Sequence, residues 1–287
     1  MTDIVESPAT PTARRGGRLS AIRSRKEVTA GVVILAVMIL LSLTVPLWAD
    51  YTPSQVAGPP FDPPSSAHWF GTDDLGRDYL VRLLTAGRTS LGISVAVAVL
   101  AMVVGAVIGI AAGLRGGWLD SILMAGIDLV LSFPSLLLAL SAVTVLNPTK
   151  TILILVLTLI SVPQFARVVR TSCMELRSRE FVLSARVSGV SSVAIATKHL
   201  VPNVLPLLTV QFANTAAIAI LVESSLSYLG LGVQPPEPSW GNMIFASQNY
   251  MTECPWLPLA PAAALLLASV GWGLIGEGFN AGKRSLI

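Results

Sequence analysis

Six long apolar runs leave this sequence few ways to fold: 28–48, 89–114, 118–146, 151–169, 203–226 and 256–276. Each reaches the roughly 18–20 residues needed to cross a ~30 Å hydrocarbon core at ~1.5 Å per residue. Over the whole chain 53% of residues are hydrophobic and 12% charged, whereas a soluble domain carries about 25% charged residues. The mean hydropathy of +0.72 agrees. In lipid every backbone N–H and C=O must be satisfied within the protein, so only helices or closed barrels can span it. Uninterrupted apolar runs lack the alternation of barrel strands. The expected fold is therefore all-α: a polytopic membrane protein with six transmembrane helices.

Lys and Arg between the runs set the expected orientation. Segments on one side hold fifteen: six in the tail, Arg115, then Arg167, Arg170, Arg177, Arg179, Arg186 and Lys198, and finally Lys283 and Arg284. The other side holds only Arg77, Arg82, Arg88 and Lys150. Both termini are expected in the cytoplasm. Residues 1–27 read as a basic cytoplasmic tail with Pro8, Pro11, Gly16 and Gly17, and 28–287 as one membrane domain. That domain includes an outside segment, 49–88, and a cytoplasmic segment, 170–202. A cleaved signal peptide fits poorly, because the first apolar run exceeds an h-region of about 7–15 residues. The net charge of +3 follows from these basic loops and gives no reason to invoke nucleic acid.

Catalytic constellations are absent. The sequence has no HExxH, no GxSxG and no GxxxxGK[ST] phosphate loop, so the chain is not expected to be an enzyme or to hydrolyse ATP itself. Cys173 and Cys254 are expected on opposite sides of the membrane, as are His68 and His199, and no metal or cofactor site is expected. The acidic stretch from Asp73 fails as a calcium loop, since Asp78 stands at position six and Leu84 at position twelve.

The segment between the fourth and fifth runs is more telling. From Arg179 it reads as a short helix, a stop at Gly189, and a second short helix ending at Pro202. Glycine closes a helix in the left-handed conformation, Ser191 or Ser192 can cap the next, and Pro202 suits the start of the fifth span. Phe181 and Val182 offer an apolar anchor. Ser184, Ala185 and Ser188 are small enough for another protein to approach closely, and Arg186 adds charge.

This segment resembles the cytoplasmic EAA motif of bacterial ABC importer permeases. Leu183-Ser184-Ala185 stands in the E-A-A place, Gly189 at the glycine and His199-Leu200-Val201-Pro202 at the terminal element. Three further stretches resemble the C-type permease subunit of dipeptide, oligopeptide and nickel importers. They run from His68 to Leu84 with its Gly71-Thr72-Asp73 and Gly76-Arg77-Asp78, from Asp128 to Leu138, and from Glu223 to Met243. The resemblance implies a subunit of the cytoplasmic (inner) membrane. It would pair with a related permease, dock on two ATPase subunits or domains through Phe181–Gly189, and receive substrate from an external solute-binding protein. From the residues alone, Thr72 or Asp73 should cap a helix whose Tyr79, Leu80, Leu83 and Leu84 lie at the outer interface. The prolines at 235, 236 and 238 should make an outside loop or re-entrant hairpin.

Two carboxylates lie within apolar runs. Asp128 and Glu223 are each open to two readings, a role in the transport pathway or a structural one, with Glu223 placed near the outer surface. Gly105, Gly109 and Gly113 form a small-xxx-small face that could meet a helix of this chain or of a partner permease. The rival class is an ion-coupled secondary transporter. It calls for inverted repeats, which the sequence lacks, and gives the basic 170–202 segment no task. A membrane-embedded hydrolase is weaker still, as the spans hold no catalytic constellation.

Overall fold

The computed structural model describes residues 16–284. Helix α1 spans Gly16–Trp48. It starts inside the stretch read as a tail, because Pro8 and Pro11 lie earlier and no proline interrupts the sequence between Gly16 and Val45. Helix α2 runs unbroken from Tyr79 to Arg115. Its 37 residues make a rod of about 55 Å, so the expected interfacial helix and second span are one element. Asp78 caps it, accepting from the Val81 N–H at 3.0 Å. Thr72 and Asp73, expected to cap, are engaged earlier. Thr72 Oγ1 donates to the Pro59 carbonyl, and Asp73 accepts the N–H groups of Leu75 and Arg77.

The third run is not one straight helix. Helices α3 (Gly117–Leu131) and α4 (Ser135–Leu146) meet at a bend of 85°. Pro134 has no N–H to donate and disfavours helical backbone at Phe133, so the ladder stops there. Helix α5 spans Lys150–Arg177 and runs past the expected end, since 170–177 holds neither glycine nor proline. Short helices α6 (Glu180–Val187) and α7 (Ser192–Ile195) follow. A π-helical turn, Ala196–Leu200, joins α7 directly to α8, Val201–Tyr228. Helix α9 (Trp240–Ser247) opens with a capping box between Ser239 and Asn242, and α10 covers Trp256–Arg284. Helices α1, α2, α5, α8 and α10 are each long and apolar enough to cross a membrane, and the bent α3–α4 pair can make a sixth span.

Small residues set the packing. A Cβ at Gly105 would collide with that of Phe165, one at Gly109 would sit 2.6 Å from the Ala166 carbonyl, and one at Gly113 2.6 Å from the Cys173 Cβ. The glycine face therefore meets α5 of this same chain, which resolves the choice left open by the sequence. Close approach of this kind holds membrane helices together where no hydrophobic drive exists between them. Helix α1 lies on α10 in the same way, with Gly31 against the Gly271 carbonyl. Side chains such as Leu47, Trp118 and Val145 are left exposed, which suits a lipid surround.

The bundle has two distinct ends. At one, segments 49–78 and 229–255 fold together as a cap. Phe61 stacks on Tyr250 with centroids 4.5 Å apart, the Tyr79 hydroxyl donates to the Leu257 carbonyl, and Lys150 pairs with Glu237 at 2.6 Å. At the other end stand α6 and α7.

Candidate coupling and translocation sites

Helix α6 is rooted on one face and bare on the other. Val182 is 0% exposed and belongs to a core cluster with Cys173, Ile195, Leu200 and Val204. It cannot serve as the docking anchor expected of it, because it already fastens α6 to the bundle. Ser184, Val187 and Ser188 occupy the opposite face, and Val187 is 90% exposed. Spacing explains the division, since i, i+3 and i+4 share one helical face and i+2 lies away from it. The side chains of Phe181, Ala185 and Arg186 lie outside the described residues. Gly189 follows at φ +76°, and a Cβ placed there would meet nothing within 4 Å, so backbone conformation and not crowding demands glycine. Ser191 then caps α7, its hydroxyl accepting from the Ala194 N–H at 3.3 Å. The expected order of helix, glycine, helix and proline is present, with Pro202 in the first turn of α8.

The two intramembrane carboxylates have different surroundings. Asp128 on α3 pairs with Arg167 on α5 at 2.6 Å, the side chains being 61% and 55% exposed. One turn further along α5, Arg170 grips Asp120 through two nitrogens, at 2.5 and 2.6 Å. These pairs hold α3 against α5. Glu223 lies toward the cap end of α8, yet it is fully buried rather than interfacial. Its carboxylate accepts from Ser227 at 2.7 Å and Ser224 at 3.2 Å, and the hydroxyls of Ser90 and Ser239 lie close by. Helices α2 and α8 and the cap of α9 thus converge on one side chain.

The 71–78 stretch is a buried ion-pair knot. Asp73 binds Arg77 at 2.7 Å and Arg82 at 3.2 Å, while Asp78 meets His68 Nδ1 at 2.9 Å. Arg82 also donates to the Pro53 carbonyl, which ties the cap to the start of α2. Gly71 and Gly76 sit at φ +70° and +71°, where the chain passes within van der Waals contact of other backbone.

One polar feature was missed in the sequence. Gln211 Nε2 on α8 donates to Gln164 Oε1 on α5 at 2.8 Å, half-way along both spans' shared face. Ser161, Gln164 and Arg167 recur every third residue in an otherwise apolar run, and that periodicity was the available signal.

Residues 105–281 match the family described as binding-protein-dependent transport system inner membrane component. A protein of Alkalihalophilus pseudofirmus named dipeptide transport system permease protein DppC is 34% identical, over 90% of this chain and 86% of its own. A Brucella suis protein provisionally named a peptide transport system permease is 36% identical, over 98% of this chain and 93% of its own. A Brucella abortus protein named in the same way is 37% identical over the same shares. With the family match covering more than half of the chain and these relatives aligned almost end to end, the chain belongs to the inner-membrane permease components of binding-protein-dependent transport systems.

Proposed function

We propose that this chain is one of two permease subunits of an ATP-driven importer that carries di- or oligopeptides into the cytoplasm. A related permease forms the other half of the pore, and two ATPase subunits or domains bind the cytoplasmic face. A solute-binding protein delivers substrate to the cap. The relatives' names support the peptide class. The fifteen-to-four distribution of Lys and Arg supports cytoplasmic termini, which places α6 inside and the cap outside.

The observation that carries this reading is α6 itself, a short helix whose exposed face ends at a left-handed glycine. Its small residues and Val187 can enter a groove on an ATPase, and Gly189 lets the chain turn back toward α8. ATP-driven closure of the ATPases then moves α6 and reorients the spans between outward- and inward-facing states. Gly189→Val strains the backbone at positive φ, and Ser184→Trp adds bulk to the docking face. In membrane vesicles carrying the assembled importer, both variants are expected to reach normal abundance and to lose most ATP-driven uptake and ATPase pull-down. Full uptake and full ATPase retention in both would sink the coupling role.

A further inference from the structure

The face shared by α4, α5 and α8 is unlike a lipid-facing surface. At the α3–α4 bend, Ser132, Phe133, Pro134 and Ser135 are all exposed. The Ser132 and Phe133 N–H groups bond back to α3 and the Pro134 carbonyl accepts from Leu138, so the helical ladder breaks at Pro134, which has no N–H. Irregular backbone at membrane depth is stable only when buried in protein or beside water. A groove of about 270 Å³ runs from this bend along α5 and α8, lined mostly by apolar side chains, with Ser135, Ser161 and Gln164 as its polar members. Gln211 stands beside it, bonded to Gln164. Gln164 stands half-way along α5 and is exposed, and the exposed Asp128–Arg167 pair lies one turn beyond it. Uncharged amides and ion pairs facing hydrocarbon are costly, so this stripe requires a polar medium.

The amide pair has a specific chemistry. Gln211 spends one hydrogen on Gln164 and points a longer contact at Thr215 Oγ1 (3.4 Å). Among the described residues the Gln164 NH₂ and the Gln211 carbonyl keep no hydrogen-bond partner. Flipping both amides leaves the same balance, one free donor group and one free acceptor. A peptide backbone needs that complement, an acceptor for its N–H and a donor for its C=O, whatever its side chains.

We propose that this groove is an aqueous wall of the translocation path, where Gln164 and Gln211 hydrogen-bond the backbone amides of the passing peptide. The proposal rests on the peptide-importer reading above. It makes Gln164 and Gln211 specificity residues for peptide bonds, without selection on side-chain charge.

Two measurements on the assembled importer in proteoliposomes test it. In a background with Cys173 and Cys254 replaced by Ala, Gln164→Cys should react with a membrane-impermeant methanethiosulfonate at least about tenfold faster than Leu266→Cys or Val107→Cys, which are exposed apolar positions. Equal rates overturn the aqueous wall. Uptake of trialanine is then compared with an analogue carrying an ester in place of one amide. The wild type should favour the amide by roughly tenfold, because a site built to bond an N–H rejects the analogue lacking it. Gln164→Leu and Gln211→Leu should bring that ratio close to one. A fall in uptake with the ratio unchanged overturns the recognition role. Absence of any ATP-driven peptide uptake by the wild-type assembly, with the Gln164→Cys thiol still reactive, overturns the peptide reading and leaves the wall standing, so the two failures are told apart.

Discussion

Glu223 is where burial and chemistry decide a role. A carboxylate with serine hydroxyls from three elements around it acts as a tie between α2, α8 and the start of α9. Glu223→Gln keeps an acceptor oxygen and offers an NH₂ that serine oxygens can accept, so it should cost about 1 kcal/mol or less. Glu223→Ala removes the acceptors and leaves a cavity, at about 3 kcal/mol. Thermal unfolding of the detergent-solubilised chain should rank them in that order, with the Gln variant transporting nearly normally. Transport lost in Glu223→Gln at normal abundance and stability would instead place the carboxylate in the path. Its position along the chain was legible in the sequence; its burial was not, because depth within a bundle depends on which neighbours cover a helix face.

Helix identity was easier to read than helix ends. Apolar length foretold the spans, yet α2 and α5 both overrun their apolar cores: α2 begins at its Asp78 cap, well before the apolar run, and α5 continues through 170–177, which holds neither glycine nor proline. The bend at Pro134 was available from the sequence as a proline inside an apolar run, but its angle comes from how α3 and α4 pack. In α6, the sequence located the helix and its glycine stop, but of the two anchor residues, Phe181 and Val182, it could not foresee that Val182 joins Ile195 and Leu200 in the core, a contact that exists only once α7 has folded back. The α2–α5 contact offers a test at this scale. Gly109→Ala drives a methyl to within 2.6 Å of the Ala166 carbonyl and should cost about 1–3 kcal/mol, lowering membrane abundance. Gly92→Ala, on the same helix with nothing within 4 Å, should be neutral or slightly stabilising. Equal effects from the two would mean that α2 does not pack on α5 as described.

For the molecule as a whole, the two ends of the bundle should differ in access. Thr252 is exposed on the cap, and Ser184 is exposed on α6. In intact cells an impermeant maleimide should label Thr252→Cys, and Ser184→Cys should react only after permeabilisation. The reverse pattern would invert the topology. An introduced cysteine at Ser239 is unsuitable, since Ser239 is fully buried as the cap of α9. Background from Cys254 should be low: burial, and then the Glu253 charge, push its thiol pKa up, which leaves less thiolate to react near neutral pH. Mechanically, the two sides of α6 are not equivalent. Toward α5 it is joined by a short turn, while from Ser192 the chain is helical without interruption through the π turn to Tyr228. A torque delivered beyond Gly189 therefore enters a continuous helical path of about 55 Å, with the π turn as its one change of pitch. That helix carries Gln211 part-way along and Glu223 near its far end, so a small rotation at the α6 end would swing the amide while pivoting on the serine-clasped carboxylate.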